Sequence, residues 1–96
     1  EVLASDGASN LGGEAKRAKL RFTPERARWV AAEVWHPEQQ GSFDGDGRYL
    51  LELPYRDDRE LVLDILRHAG EVAVLEPAEL RAKIHAAHVA ATQLNA

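Results

Sequence analysis

Four histidines, a dense run of cations and the adjacent pairs Asp44-Gly45 and Asp46-Gly47 are the residues of this chain whose types could do chemistry. His85 and His88 stand three apart, a spacing that places both on one face of a helix. A zinc site needs three or four ligands, and no HExxH string or carboxylate partner stands at a recognisable distance from them. His68 lies one turn before the expected end of a helix, where the negative end of the dipole favours an imidazole. His36, in the string WHPEQQ, begins an irregular stretch; a hydrogen-bonded structural histidine and a contact residue both fit it. Ser5, Ser9 and Ser42 lack the strand-turn-helix elbow of a serine nucleophile. Asp44 and Asp46 form a DxDG fragment without the other ligands or the distal Glu of a calcium loop, and read instead as a turn. Gly45 and Gly47 are not followed by a helix, which argues against a phosphate-binding glycine loop. With no cysteine, disulfides, thiolate metal sites and thiol catalysis are all removed. These residues assemble into no catalytic constellation, so the expectation is a binding protein that is not an enzyme and that needs no metal or cofactor.

Binding chemistry is concentrated in the cations. Lys16, Arg17, Lys19, Arg21, Arg26 and Arg28 supply half of the twelve basic side chains, and only Glu25 opposes them there. From Trp29 onward acidic residues outnumber basic ones, and the net charge is −4. A basic block on an acidic domain attracts anions locally, although salt screens it beyond about 8 Å. A solvated strand edge and helix start would look the same. Trp29, Trp35, Phe43, Tyr49 and Tyr55 could stack single-stranded bases on a sheet, but the chain has no R/K-G-F/Y-G-F-like string and YLLELPY is flanked by acids. Core packing suits most of them better. Trp29 falls off its helix's apolar stripe and is a candidate interface residue.

The elements that must position these groups can be read from periodicity and punctuation. Residues 1–15, with three glycines and little aliphatic periodicity, read as a linker or frayed tail. Ala18, Leu20 and Phe22 alternate with Lys19 and Arg21, as in a half-buried strand with a basic outer face. Thr23-Pro24-Glu25 starts a helix, with Thr as cap, Pro at the first position and an acid near the positive dipole end. Ala27, Val30, Ala31 and Val34 continue it as one apolar stripe, and Pro37 ends it by about Trp35. The two Asp-Gly pairs join GSF to RYLLELPY as a hairpin, with Tyr49, Leu51, Leu53 and Tyr55 on one face. Asp57 and Glu60 have capping-box spacing before a helix whose buried face is Leu61, Val62, Ile65, Leu66 and Ala69, with Gly70 as its left-handed cap. Val72 and Val74 point one way in a short strand. Pro77 opens a last helix with Leu80, Ile84, Ala87, Ala91 and Leu94 on one side.

The order β-α-β-β-α-β-α predicts an α+β, ferredoxin-like sandwich with an additional C-terminal helix. That helix would pack on the remaining sheet surface or reach for a partner. Ninety-six residues suit one domain, over 16–96, with a modest core. No apolar run approaches a membrane span and no signal peptide is visible, so a cytoplasmic location is expected. The chain starts at Glu1 and contains no Met, and is read as part of a larger gene product.

Four strings in this order, LRFTPERARWV, WHPEQQGSFDGDG, ELVLDILRHAGEVAVLEP and PAELRAKI, carry a resemblance. Together they resemble the C-terminal extension of WYL-domain transcriptional regulators, the WCX domain, over about Ala18 to Leu94. The most specific parts are His36-x-x-Gln39 followed by Asp46-Gly47, and Val72-x-Val74-Leu75-x-Pro77-x-x-Leu80-Arg81. One departure stands out: His68-Ala69-Gly70 replaces an aromatic-Gly-Pro string, which leaves the local helix cap and an aromatic contact open. The resemblance implies a regulatory or dimerisation module of a bacterial regulator, whose own winged helix-turn-helix and WYL domains are its partners. Its role would be to relay the binding of a nucleic acid or small-molecule effector. Candidate contact residues are Arg21, Arg26, Arg28, His36, Gln39 and Arg81. An ACT-type small-molecule sensor and a purely structural dimerisation domain are the alternatives.

Overall fold

A computed structural model describes residues 15–96. Apart from Ala15, the linker expected over residues 1–15 lies outside the described residues. The elements are strand β1 (Lys16–Phe22), helix α1 (Pro24–Val30), strands β2 (Gln40–Phe43) and β3 (Tyr49–Tyr55), helix α2 (Arg59–Leu66), a 3-10 turn (Ala69–Glu71), strand β4 (Val72–Glu76) and helix α3 (Ala78–Leu94). The protein is α+β, with one four-stranded antiparallel sheet ordered β2-β3-β1-β4 and a C-terminal helix beyond it.

Strict alternation in β1 decides which side of the sheet is covered. Ala18, Leu20 and Phe22 are fully buried and pair with Leu53, Leu51 and Tyr49 of β3; Leu20 and Phe22 also face Val74 and Val72 of β4. Ala27 and Val30 of α1, Leu61 and Ile65 of α2, and Leu80 and Ile84 of α3 join these strand residues in one core. Each of Leu20, Phe22, Leu51, Ile65 and Leu80 contributes about 1.5–3 kcal/mol by leaving water. All three helices therefore share one face. The third helix does not cover the other side, which keeps Arg17, Lys19 and Arg21 of β1 with Leu50 and Glu52 of β3 as an open face.

Local chemistry sets the joints. Thr23 caps α1 by accepting from the Arg26 amide at 3.3 Å, and its hydroxyl donates to the Glu71 carboxylate. The Thr23 amide also donates to the Glu71 carbonyl at 3.0 Å, tying the start of α1 to the 3-10 turn. In the hairpin, Asp44 Oδ1 accepts from the amides of Asp46 (2.8 Å) and Arg48 (3.0 Å), and Gly47 takes φ 85°, a left-handed conformation that suits glycine. Gly41 of β2 lies directly under the Tyr49 phenol, in space that a Cβ would occupy.

Four expectations are corrected. Helix α1 stops at Val30 instead of reaching Trp35, and Val34 is 77% exposed. The chain leaves the helix early because Trp35 turns inward to pack edge-on against Phe22, with ring centroids 5.8 Å apart. Asp57 and Glu60 make no capping box: α2 starts at Arg59, and Asp57 accepts instead from the Arg59 amide (3.0 Å) and guanidinium. The left-handed residue after α2 is Ala69 (φ 49°), one position before Gly70. On α3 only Leu80 and Ile84 are fully buried; Ala87 is half-buried, and Ala91 and Leu94 are exposed because the helix runs on past the sheet.

Candidate functional site

The six candidate contact residues do not form one surface. Arg21 and Arg81 are brought together; the other four divide between two other places. Arg21, on the open face of β1, sits opposite Ala73 of β4 and Leu50 of β3. Arg81 stands one turn into α3, followed by His85 and His88 at the i+4 and i+7 positions of the same helix face. These four side chains line a groove of about 320 Å³ between α3 and β4, floored by Ala73, Leu75 and Ile84. No carboxylate is among the residues lining it. Neither Arg21 nor Arg81 forms an ion pair with a described residue, although the Arg21 charge reaches Asp44 and helps to lower its carboxyl. His88 Nε2 is buried with no hydrogen-bond partner among the described residues.

Arg26 and Arg28 lie on α1, where with Glu25, Trp29 and Glu71 they line a separate shallow depression. Arg26 is half-buried, while Trp29 is 66% exposed, as its position off the apolar stripe implies. The facing carboxylates Glu25 and Glu71 make this depression electrostatically mixed, unlike the groove.

His36 and Gln39 belong to the loop between α1 and β2. Gln39 Oε1 accepts from the amides of Trp35 (2.6 Å) and His36 (3.1 Å), and its Nε2 donates to the Glu33 carbonyl at 3.0 Å. The side chain thus closes its own loop. His36 Nδ1 accepts from the Glu38 amide at 2.9 Å, and the ring borders a cavity of about 500 Å³ with Trp35, Tyr55 and the acids Glu38, Asp57, Glu60 and Asp64. Two of those acids already have partners. Asp57, held down to about 2 first by hydrogen bonds from the Arg59 side chain and then by its amide, is paired with that guanidinium, and Asp64 pairs with Arg67.

Behind this loop is a feature that sequence reasoning missed. His68 is 5% exposed, stacked on Trp35 at 5.7 Å and 15° and edge-on to Phe22 at 5.4 Å. Both its ring nitrogens are without hydrogen-bond partners among the described residues. Burial pushes its pKa below the ordinary histidine value, and the nearby Arg26 charge pushes the same way. His68 therefore serves as a neutral aromatic plate and holds no dipole contact of the kind its helix position suggested. It also supplies the aromatic packing left open by the altered string around it. The three-residue spacing of His85 and His88, by contrast, was legible in the sequence; their alignment with Arg81 on one helix face and the convergence with Arg21 were not read from it.

The architecture and the groove together define a small one-sided α+β sandwich with two unpaired arginines, Arg21 and Arg81, beside an edge strand. A WCX domain family model matches residues 14–92, and the chain belongs to that family. Domains of this family are associated with WYL-type transcriptional regulators. A search of curated proteins finds no match. No helix among the described residues is long and apolar enough to cross a membrane.

Proposed function

We propose that this domain is a non-catalytic regulatory module of a bacterial, cytoplasmic WYL-type regulator. It relays effector binding to a separate winged helix-turn-helix domain and contributes to self-association. Membership of the WCX family over residues 14–92 carries this reading. The position of β1 supports it: the strand that leads into the domain is central, bonded to β3 on one side and β4 on the other. Tension or displacement entering through that strand reaches the whole sheet. The sheet order, with β3 inserted between β1 and β2, supports reading the sandwich as ferredoxin-like.

The test is genetic. The native polypeptide is expressed with and without residues 16–96, its promoter occupancy is mapped by chromatin immunoprecipitation, and transcripts from those promoters are followed. The expected outcome is discrete occupancy that survives the deletion while the transcriptional response is lost. Absence of promoter occupancy by the intact polypeptide would overturn the regulator reading, and an unchanged transcriptional response after deletion would overturn the relay. Sedimentation of the 96-residue chain addresses self-association; a strict monomer at high concentration speaks against it.

A further inference from the structure

We infer that the groove between α3 and β4 is a binding site for a phosphate monoester, with Arg21 and Arg81 as its anion clamp. Two guanidiniums that are permanently charged come from different elements to one groove without a carboxylate on its walls. Elsewhere on the described surface Arg17, Arg48, Arg59 and Arg67 are each paired with an acid, and Arg26 and Arg28, which form no ion pair among the described residues, share their depression with Glu25 and Glu71. The contrast matters because the protein carries a net charge of −4, so acids were available to neutralise the pair. Planar guanidinium forks match phosphate and carboxylate oxygens in geometry. Charge separates the two ligands: a carboxylate neutralises one arginine, whereas a phosphate monoester brings about −1.5 to −2 at neutral pH and neutralises both.

The remaining walls fit the same ligand. The exposed His85 offers its imidazole along the helix, while Ala73 and Leu75 give an apolar surface for the part of the ligand that carries the phosphate. A volume of about 320 Å³ suits a small ligand or the terminal unit of a longer one. A nucleoside monophosphate and the 5′-phosphorylated end of a nucleic-acid strand present this chemistry equally. The site belongs to the domain itself, so it extends the relay reading without depending on it; ligand binding and the transcriptional response can fail separately.

The 96-residue chain, titrated at neutral pH and low salt and followed by calorimetry and amide chemical shifts, provides the test. The probes are AMP, adenosine, inorganic phosphate, and a short oligothymidylate with either a 5′-phosphate or a 5′-hydroxyl. The expected result is that a phosphate-bearing probe binds and its hydroxyl counterpart does not, with shifts centred on Ala73, Leu75, Arg81 and His85. Arg21→Gln and Arg81→Gln are each expected to weaken binding about tenfold or more, as for loss of a charged hydrogen bond. Arg59→Gln, on α2 and paired with Asp57, leaves it unchanged. AMP binding identifies a free nucleotide as sufficient; binding of the 5′-phosphorylated strand alone identifies the strand end. No binding of any phosphate probe, equal binding of AMP and adenosine, or an equal loss in Arg59→Gln overturns the assignment.

Discussion

Gln39 holds three backbone groups with one amide, and the loop from Glu33 to Gln39 is shaped around it. Truncating it to Ala leaves the amides of Trp35 and His36 without their acceptor in a part-buried setting. The expected loss for Gln39→Ala is about 1–3 kcal/mol in urea unfolding. Hydrogen exchange should accelerate at the Trp35 and His36 amides while those of β1 keep their relative protection. An unchanged midpoint would show that the loop is held by the Trp35 stack alone. The prominence of His36 and Gln39 was visible in the sequence as a spacing, but their role was not. Three residues apart in a chain with no regular structure, they could equally face a partner; only the closed loop shows that Gln39 turns back on its own backbone.

At the scale of elements, the longest helix is the least evenly used. Alanine-rich α3 runs for 17 residues, yet its buried residues are Leu80 and Ile84, both in its first half. High intrinsic helix propensity sustains the remainder without tertiary cover. Ile84→Ala should therefore cost about 2–5 kcal/mol, as for other buried aliphatic truncations. Leu94→Ala, at a side chain 85% exposed, should stay within about 0.5 kcal/mol. Equal losses at the two positions would mean that the C-terminal half of α3 is buried against something in solution, and sedimentation of the same samples would detect a second copy. Periodicity placed Leu80, Ile84, Ala87, Ala91 and Leu94 on one side correctly. It could not say where the sheet beneath them stops, because a stripe continues for as long as apolar residues recur, whereas burial ends with the packing partner. Helix α1 failed in the opposite direction: Val34 fits the stripe, but Trp35 gains more by reaching Phe22 and His68 than by prolonging the helix.

For the whole molecule, element types and the pairing of β2 with β3 were legible because alternation, caps and Asp-Gly turns are local signals. The one-sided burial and the groove were not, since both depend on which edge α3 meets. The buried imidazole gives the entire fold a testable pH dependence. His68 is packed among Phe22 and Trp35, with Arg26 and Arg67 pushing its pKa down after burial and Glu33 and Asp64 opposing them. In the unfolded chain it takes up a proton near its ordinary value of 6.5, whereas the folded protein does so only at lower pH. The unfolded state thus binds more protons over that interval, and stability that is fully present above about 6.5 is lost as pH falls toward the folded value. A second acid limb comes from carboxylates that the fold holds low. Asp57, lowered from 3.8 to about 2 by Arg59, contributes above 3.8 and loses that contribution as pH falls toward 2. Glu79, lowered by its own amide and then by Lys16, acts in the same sense; all of these surface groups are weakened by solvent screening. Urea midpoints measured from pH 8 to pH 3 are expected to fall in two stages. His68→Phe, which keeps an aromatic plate between Phe22 and Trp35 and removes both unpaired nitrogens, is expected to abolish the first stage and leave the second. A His68→Phe profile that superimposes on the parent between pH 7 and pH 5 would place the first limb elsewhere, and with it the claim that a buried neutral histidine sets the acid sensitivity of the fold.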